Sequence, residues 1–271
     1  MARPSRTEPS TSPEPLAPTP EFLRALADIG VELEPGDDQR LGCYLALLLD
    51  ANTRFNLTAI TDPAEAWTRH ILDSLTLVAL LSDLPAGARV LDVGSGGGLP
   101  GVPLAIVMPT LRFTLLEATG KKADFLSACV TRLRLANVGV VQARAESAAQ
   151  DRGNRLDARA GALRESFDAV LCRAVGRVAV VAELCVPFAR VGGLVVLVKG
   201  QKAPEELEEA TKALELLRAS HAGTVETPTG RLVVLEKTAP TPRTYPRRDG
   251  EPRRAPLGIR RERASDAGDD E

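Results

Sequence analysis

The chain has 271 residues, of which 44% are hydrophobic and 26% charged, so it can bury a full core and its composition excludes a fibrous protein. Its net charge of −2 argues against indiscriminate nucleic-acid binding, and no apolar run approaches the roughly 20 residues that cross a bilayer. The Pro/Ser/Thr-rich start lacks a signal peptide and the four cysteines lack Cys-x-x-Cys spacing, so we expect a cytoplasmic protein with reduced thiols and no metal site.

The N-terminal part of the chain predicts a disordered extension over 1–20 and a small helical module over 21–85. Apolar residues recur at helical spacing in three segments of the helical module, 21–29, 37–53 and 63–81. The third segment opens with Asp62 as N-cap and Pro63 at the first helical position.

Residues 86–238 alternate between apolar strands and amphipathic helices, which predicts an open parallel sheet with helices on both faces. The strands are predicted at 89–93, 112–117, 138–142, 167–172, 193–198, 222–226 and 231–237. The helices are predicted near 101–108, 120–135, 176–189 and 204–219. A hairpin turn at Thr227-Pro-Thr-Gly230 makes the last strand antiparallel to its predecessor, and an irregular insertion over 149–165 precedes the fourth strand.

The C-terminal segment, 239–271, is basic and then acidic. Eight arginines lie between Pro240 and Arg263, whereas the only charged residues among the last eight are acids. Composition leaves two interpretations open, a solvated disordered tail or a surface that contacts RNA.

The most informative segment is the glycine loop, residues 94–101, which follows an apolar strand and contains five glycines. Gly96, Gly98 and Gly101 satisfy the pattern G-x-G-x-x-G of dinucleotide-binding enzymes, and Glu117 ends the next strand, where a ribose-binding acid would lie. This template favours an NAD-dependent oxidoreductase.

A second template for the same loop begins with an acid, Asp92-x-Gly94-x-Gly96-x-Gly98, and resembles the motif of S-adenosylmethionine-dependent methyltransferases. An acid at the strand tip has an electrostatic role beside a sulfonium but none beside a pyrophosphate. The antiparallel hairpin is also typical of methyltransferases, as is a polar turn after the third strand. The alternative for Asp92 is a carboxylate that caps the loop's own amides, and the two roles are compatible.

Residues 172–175 follow the fourth strand and narrow the chemistry. They lack the Asn/Asp-Pro-Pro-aromatic motif of enzymes that methylate exocyclic amines. Cys172 lies in an apolar strand without a neighbouring Pro-Cys motif, so we interpret it as a buried thiol and not as a nucleophile. With no evident base or nucleophile, the sequence suits an acceptor that owns a lone pair and needs only in-line alignment, such as guanine N7.

A series of motifs, in order and over about 50–238, resembles the bacterial small-subunit rRNA guanine-N7 methyltransferase family. The motifs are Asn56-Leu-Thr58, Arg69-His-Ile-Leu-Asp-Ser74, Asp92-Val-Gly-Ser-Gly-Gly-Gly-Leu-Pro-Gly-Val-Pro-Leu104, Leu116-Glu117, Gly120-Lys-Lys122, Arg173-Ala174 and Val198-Lys-Gly200. In the tail, Tyr245-Pro-Arg-Arg248, Gly250, Pro252 and Pro256-Leu257 are also similar to the family's basic C-terminal segment.

This resemblance implies a Rossmann-like class I methyltransferase fold that methylates N7 of guanine 527 in the 530 loop of 16S rRNA. The donor would be S-adenosylmethionine, and the partner 16S rRNA, free or in the small ribosomal subunit; we expect a monomer. The implied cofactor contacts are Asp92, Gly94, Gly96, Gly98, Leu99, Glu117, Ala145, Glu146 and Arg173. The implied catalytic residues are Arg173 and Lys199, and the implied RNA contacts are Asn56, His70, Arg144, Arg247 and Arg248.

Three alternatives stay open beside this resemblance. His70 and Asp73 lie three residues apart on one helical face, so they could equally form a hydrogen-bonded packing cluster. The arginine-rich tail also suits a non-catalytic ribosome-binding protein, and the dinucleotide template keeps the NAD-dependent oxidoreductase. The insertion over 149–165 and both terminal extensions have no counterpart in the family pattern.

Overall fold

A seven-stranded sheet forms the centre of the computed structural model, which describes residues 13–150, 162–173 and 176–259. The strand order is β3-β2-β1-β4-β5-β7-β6, with β1 to β5 parallel and β7 antiparallel to both of its neighbours. The strands are β1 (Arg89–Val93), β2 (Arg112–Glu117), β3 (Val138–Gln142), β4 (Phe167–Cys172), β5 (Ala189–Lys199), β6 (Ala219–Thr227) and β7 (Gly230–Lys237). The predicted sheet and its antiparallel last strand are therefore confirmed, although β5 begins four residues earlier than predicted.

The register aligns the carboxyl ends of the central strands at one edge of the sheet. Val93 of β1 lies beside Leu116 of β2, and Asp92 lies beside Leu171 of β4. The order of the strands reverses between β1 and β4, and a parallel sheet binds ligands in the crevice at such a point. The glycine loop leaves β1 at this crevice.

The helical module contains more breaks than its sequence predicts. Its helices are α1 (Pro20–Asp28), α2 (Asp37–Asn52), α3 (Pro63–Ala66), a π-helical turn (Trp67–Leu72), α4 (Asp73–Leu75) and α5 (Val78–Leu81). The N-cap at Asp62 is confirmed, since its Oδ1 accepts the Glu65 N–H at 2.8 Å. The prediction of one helix over 63–81 is wrong, because the hydroxyls of Ser74 and Thr76 bond to nearby backbone carbonyls and compete with regular helical bonding.

Further helices cover the two faces of the sheet. They are α6 (Gly101–Val107), α7 (Gly120–Arg132), α8 (Ala145–Ala148), α9 (Val178–Cys185), α10 (Ala203–Glu209), α11 (Thr211–Leu217) and, in the C-terminal segment, α12 (Glu251–Arg254). The helix predicted over 176–189 ends at Cys185 in a 3₁₀ turn, because Pro187 has no N–H to continue it. The helix predicted over 204–219 is two helices that meet at Ala210.

One hydrophobic cluster joins the helical module to one face of the sheet, and a second cluster covers the other face. Trp67 is 1% exposed and packs on Phe22 with ring centroids 4.7 Å apart, so it belongs to the core. Within the described ranges, no helix has the length and apolar character needed to cross a membrane.

Both ends of the described chain pack against the body of the protein. The Leu16 N–H donates to Gly42 O at 3.2 Å, so the part of the predicted disordered extension over 13–20 lies along α2. In the C-terminal segment, carbonyl oxygens of Thr241 and Tyr245 accept hydrogen bonds from the 7% exposed Arg164. The described part of the predicted tail is therefore folded; residues 1–12, 151–161 and 260–271 of the predicted extensions and insertion lie outside the described residues.

Candidate active site

The first half of the glycine loop, Gly94–Gly96, is open and is called the open half below. Gly94 and Gly96 have positive φ angles of 73° and 57°, a conformation that glycine adopts without strain. A Cβ added to Gly94 would meet nothing within 4 Å, and one on Gly96 would meet only Gly94 O at 3.8 Å. The N–H groups of Gly94 and Ser95 donate to Leu116 O, which ties the open half to β2. A ligand can thus approach this backbone closely.

The second half of the loop, Gly97–Gly101, fits closely against the protein and is called the packed half. A Cβ on Gly98 would lie 2.7 Å from Val102 Cγ2, and one on Gly101 would overlap the side chain of Leu115. Gly98 was expected to contact the cofactor, but its surroundings assign it to packing. Leu99, also expected at the cofactor, is 9% exposed and belongs to the core cluster.

Helix α2 of the helical module holds the packed half in place. The Tyr44 hydroxyl donates to Gly97 O at 2.9 Å, and Tyr44 is fully buried. A Cβ on Gly97 would lie 2.7 Å from Leu48 Cδ1. Tyr44 was not predicted from the sequence to support the site, because a tyrosine among apolar residues on a helix is typical of an ordinary core position.

Asp92 lies at the end of β1 and is 0% exposed. Its Oδ2 accepts the Gly101 N–H at 3.1 Å, which supports the capping role that the sequence left open. Its Oδ1 is buried and has no hydrogen-bond partner among the described residues. Burial raises the pKa of the Asp92 carboxyl to about 7, partly offset by the bond from Gly101. One carboxylate oxygen therefore serves the fold, while the other has no partner in the described chain.

Two further acids expected at the cofactor also bond to backbone amides. Glu117 accepts the Gly96 N–H at 2.9 Å and the Thr119 N–H at 2.7 Å, so its carboxylate touches the open half. Glu146 accepts the Gly250 N–H at 2.9 Å and links α8 to the C-terminal segment. Ala145, beside it, is partly buried against the second hydrophobic cluster.

Arg173 follows β4 and is the centre of a hydrogen-bonded group. Its Nη1 lies 3.2 Å from Asp73 Oδ2, and its Nη2 donates to His70 Nδ1 at 3.1 Å. Asp73 also accepts the Thr229 hydroxyl from the turn between β6 and β7. On the far side of the ring, His70 Nε2 lies 2.8 Å from Thr58 Oγ1. The group therefore joins β4 to the helical module and to the hairpin.

His70 does not offer an exposed ring to RNA, since it is 2% exposed. Burial, followed by the charge of Arg173, lowers the pKa of His70 to about 4, so the ring is neutral near pH 7. These surroundings support the packing alternative and not the expected RNA contact.

Lys199, expected to be catalytic, is occupied by an ion pair. Its Nζ lies 2.6 Å from Glu206 Oε2 and also donates to Gly176 O, and its side chain is 7% exposed. Glu206 accepts the Val178 N–H as well, so Lys199 connects β5 to α10 and to the start of α9. We assign Lys199 to positioning the backbone around the site.

The residues expected to contact RNA differ in exposure. Asn56 and Arg248 are exposed, and Arg144 is exposed with its Nε 3.5 Å from Asp249. The Arg247 guanidinium instead donates to the fully buried carboxylate of Glu183 at 2.6 and 2.9 Å. We therefore assign Arg247 to anchoring the C-terminal segment. Its partner could have been suspected, since Glu183 is the one acid in the apolar helix α9.

Cys172 donates through Sγ to Val93 O at 3.2 Å and is 4% exposed, as expected of a structural thiol. Throughout the described ranges, no group of three or more His, Cys, Asp or Glu side chains is arranged to hold a metal ion.

Comparisons with known proteins agree on one family. A family model for rRNA small subunit methyltransferase G matches residues 37–233. Ribosomal RNA small subunit methyltransferase G of Sorangium cellulosum is 51% identical over 234 residues, covering 86% of this chain and 94% of that protein. The protein of the same name from Moorella thermoacetica is 39% identical over 238 residues, covering 85% of this chain and 94% of its own.

Among solved structures, a Corynebacterium glutamicum protein from a structural genomics consortium matches with a TM-score of 0.52. It is 13% identical and covers 81% of this chain and 97% of its own, which supports the fold alone. The family decides between the two glycine templates: the cofactor is S-adenosylmethionine and the NAD-dependent alternative is set aside. The chain belongs to the rRNA small subunit methyltransferase G family.

Proposed function

We propose that the protein transfers a methyl group from S-adenosylmethionine to N7 of guanine 527 in the 530 loop of 16S rRNA. The observation that carries this proposal is the grouping of the open half, Asp92 and Arg173 where β1 and β4 meet. Family membership supports rRNA as the substrate, and the motif series resembles enzymes that act on guanine N7.

The residues around the open half fit the cofactor. Gly94 and Gly96 leave room for a ligand against the backbone. Asp92 Oδ1 is a buried carboxylate oxygen without a partner in the described chain, and such a group is costly unless a ligand balances it. S-adenosylmethionine offers two positive groups, its ammonium and its sulfonium. We therefore assign Asp92, Gly94, Gly96 and Glu117 to holding it, together with Ala145 and Glu146.

Bound S-adenosylmethionine supplies an electrophilic methyl group on a sulfonium. The side chains around Arg173 are suited to placing an acceptor and not to removing a proton. His70 is neutral, and its two ring nitrogens face Arg173 and Thr58. Arg173 remains a cation, and Lys199 is ion-paired. Guanine N7 owns a lone pair and needs no general base, so alignment and electrostatics suffice.

The test is methyl transfer in vitro to 16S rRNA from a strain that lacks the gene, supplied either naked or in small subunits. We expect 7-methylguanosine at position 527, mapped by chemical cleavage at the modified base and by mass spectrometry. Comparing the two substrates at several salt concentrations shows which one the enzyme prefers. Methylation at another nucleotide, or transfer to neither substrate, would overturn the proposal.

A further inference from the structure

We infer that His70 is a positioning residue whose neutral ring accepts a hydrogen bond from Arg173 and so fixes that guanidinium at the mouth of the site. The inference rests on the proposed function insofar as Arg173 faces the substrates. It assigns His70 a task different from contacting RNA, namely acting through another side chain.

The hydrogen-bond partners determine which ring nitrogen carries the proton. Arg173 Nη2 lies 3.1 Å from His70 Nδ1, and a guanidinium can only donate. Nδ1 must therefore present its lone pair. Arg69 O also lies 3.1 Å from Nδ1, but this carbonyl already accepts from Arg173 Nη1 at 3.3 Å, and a proton on Nδ1 would leave Arg173 Nη2 facing another donor. The proton of the neutral ring therefore belongs on Nε2.

Thr58 completes this arrangement on the other side of the ring. Its Oγ1 lies 2.8 Å from His70 Nε2 and accepts the Ile60 N–H at 3.0 Å. A second lone pair of the same oxygen accepts the Nε2–H, so both ring nitrogens are used. The turn at Asn56-Leu-Thr58, before α3, is thereby connected to the end of β4.

The opposite side of the guanidinium is held as firmly. Asp73 Oδ2 lies 3.2 Å from Arg173 Nη1, and Arg69 O accepts from the same nitrogen at 3.3 Å. His70 and Asp73 reach one cation together because residues three apart lie on one helical face, here where the π-helical turn that ends at Leu72 meets α4. Among the described residues, none accepts a hydrogen bond from Arg173 Nε, which leaves that edge to a ligand.

The charges around His70 keep its ring in the accepting form. Burial lowers the pKa of His70 most, and the cations Arg173 and Arg69 lower it further, while Asp73 is paired with Arg173 on the far side of the guanidinium. Since the pKa of His70 lies near 4, the bond to Arg173 persists throughout the neutral range. An arginine held in this way is preorganised, whereas an unrestrained one would sample many rotamers.

Two substitutions separate the accepting role of His70 from its packing role. In His70→Asn, the amide oxygen lies near the position of Nδ1 and can accept from Arg173. In His70→Gln, the longer amide reaches the position of Nε2 and can bond to Thr58, but it leaves no acceptor opposite Arg173. We expect His70→Asn to keep kcat/KM within about threefold of the wild type and His70→Gln to lose about tenfold or more. Equal losses in the two variants would overturn the inference.

A double-mutant cycle with Arg173→Ala shows whether His70 acts through Arg173. We expect His70→Gln to have no further effect on kcat/KM once Arg173 is alanine, because both substitutions remove the same contribution of Arg173 to catalysis. Losses that multiply fully would contradict the inference. If Arg173→Ala alone left methyl transfer unchanged, the proposed role of Arg173 would fail instead.

Nuclear magnetic resonance provides a readout that needs no activity. The chain has two histidines, and the exposed His221 is an internal reference. We expect ¹⁵N shifts of His70 to show the Nε2–H form from pH 8 to about 5, and its pKa to rise in Arg173→Ala. Finding the Nδ1–H form in the wild type would overturn the inference even if the proposed function stood.

Discussion

Both halves of the glycine loop are rich in glycine, but their glycines have opposite surroundings. In the open half, the positions beside Gly94 and Gly96 are empty, whereas in the packed half Gly98 and Gly101 are small because neighbouring side chains fill the space. The dinucleotide template matched Gly96, Gly98 and Gly101, and two of these three glycines serve packing. The number of glycines in the loop therefore does not identify the cofactor, whereas Asp92, the acid that precedes them, is informative.

The largest effect that we expect concerns Asp92, whose pKa is about 7 in the folded protein against 3.8 ordinarily. Between pH 4 and 7 the unfolded chain ionises this group while the folded chain does not, so its contribution to stability is present at low pH and is lost as the pH rises. Relative to Asp92→Asn, the wild type should lose up to about 4 kcal/mol over this range.

Urea unfolding of the wild type and Asp92→Asn from pH 4 to 8 measures this difference. All other ionisable groups are common to both proteins, so their contribution to the pH dependence cancels. A pH-independent difference would show that Asp92 is ionised in the folded state. Asp92 would then cap the start of α6, at Gly101, with a full negative charge.

The next effect tests whether the packed half is as tight as its distances indicate. In Gly101→Ala the new Cβ would lie 2.8 Å from Asp92 Oδ2 and against Leu115. We expect a loss of about 2–3 kcal/mol in the free energy of unfolding, although alanine favours a helix by about 1 kcal/mol. Gly139→Ala is the control, since nothing lies within 4 Å of its Cβ position. If Gly101→Ala has the same free energy of unfolding as Gly139→Ala and the wild type, the backbone at Gly101 is not closely packed.

A smaller effect tests the open half directly. Gly94 and Gly87 have φ angles of 73° and 82°, and neither has a neighbour within 4 Å of a Cβ. Alanine at either position should cost about 1 kcal/mol in stability through backbone strain. Gly94→Ala alone should also weaken binding of S-adenosylhomocysteine by about tenfold, measured by calorimetry. If the two variants bind S-adenosylhomocysteine with similar affinity, the cofactor does not bind against the open half.

The smallest effect concerns Cys172, which supports the backbone before the open half through Val93 O. We expect Cys172→Ala to keep methyl transfer within about twofold, because no covalent adduct is needed at an acceptor with its own lone pair. A loss of most activity, with cofactor binding unchanged, would indicate covalent catalysis by this thiol.

Local patterns in the sequence predicted what depends on neighbours along the chain. The strands, the N-cap at Asp62 and the antiparallel hairpin follow from hydrophobic period and turn chemistry, and the structure confirms them. The ion pairs of Lys199 and Arg247 were not predicted, because each meets a carboxylate whose nearness only the fold creates. Glu183 lies 64 positions before Arg247; the single acid in an apolar helix indicates a buried partner but not which residue supplies it.

Trp67 is a natural fluorescence probe for the unfolding of the helical module. The chain contains a single tryptophan, and it is buried against Phe22 in α1. Intrinsic fluorescence at tryptophan wavelengths therefore reports on the helical module, while far-ultraviolet circular dichroism reports on the whole chain. If the fluorescence and circular dichroism transitions coincide, the helical module and the methyltransferase domain unfold together, and the predicted boundary between 85 and 86 does not divide two independently unfolding units.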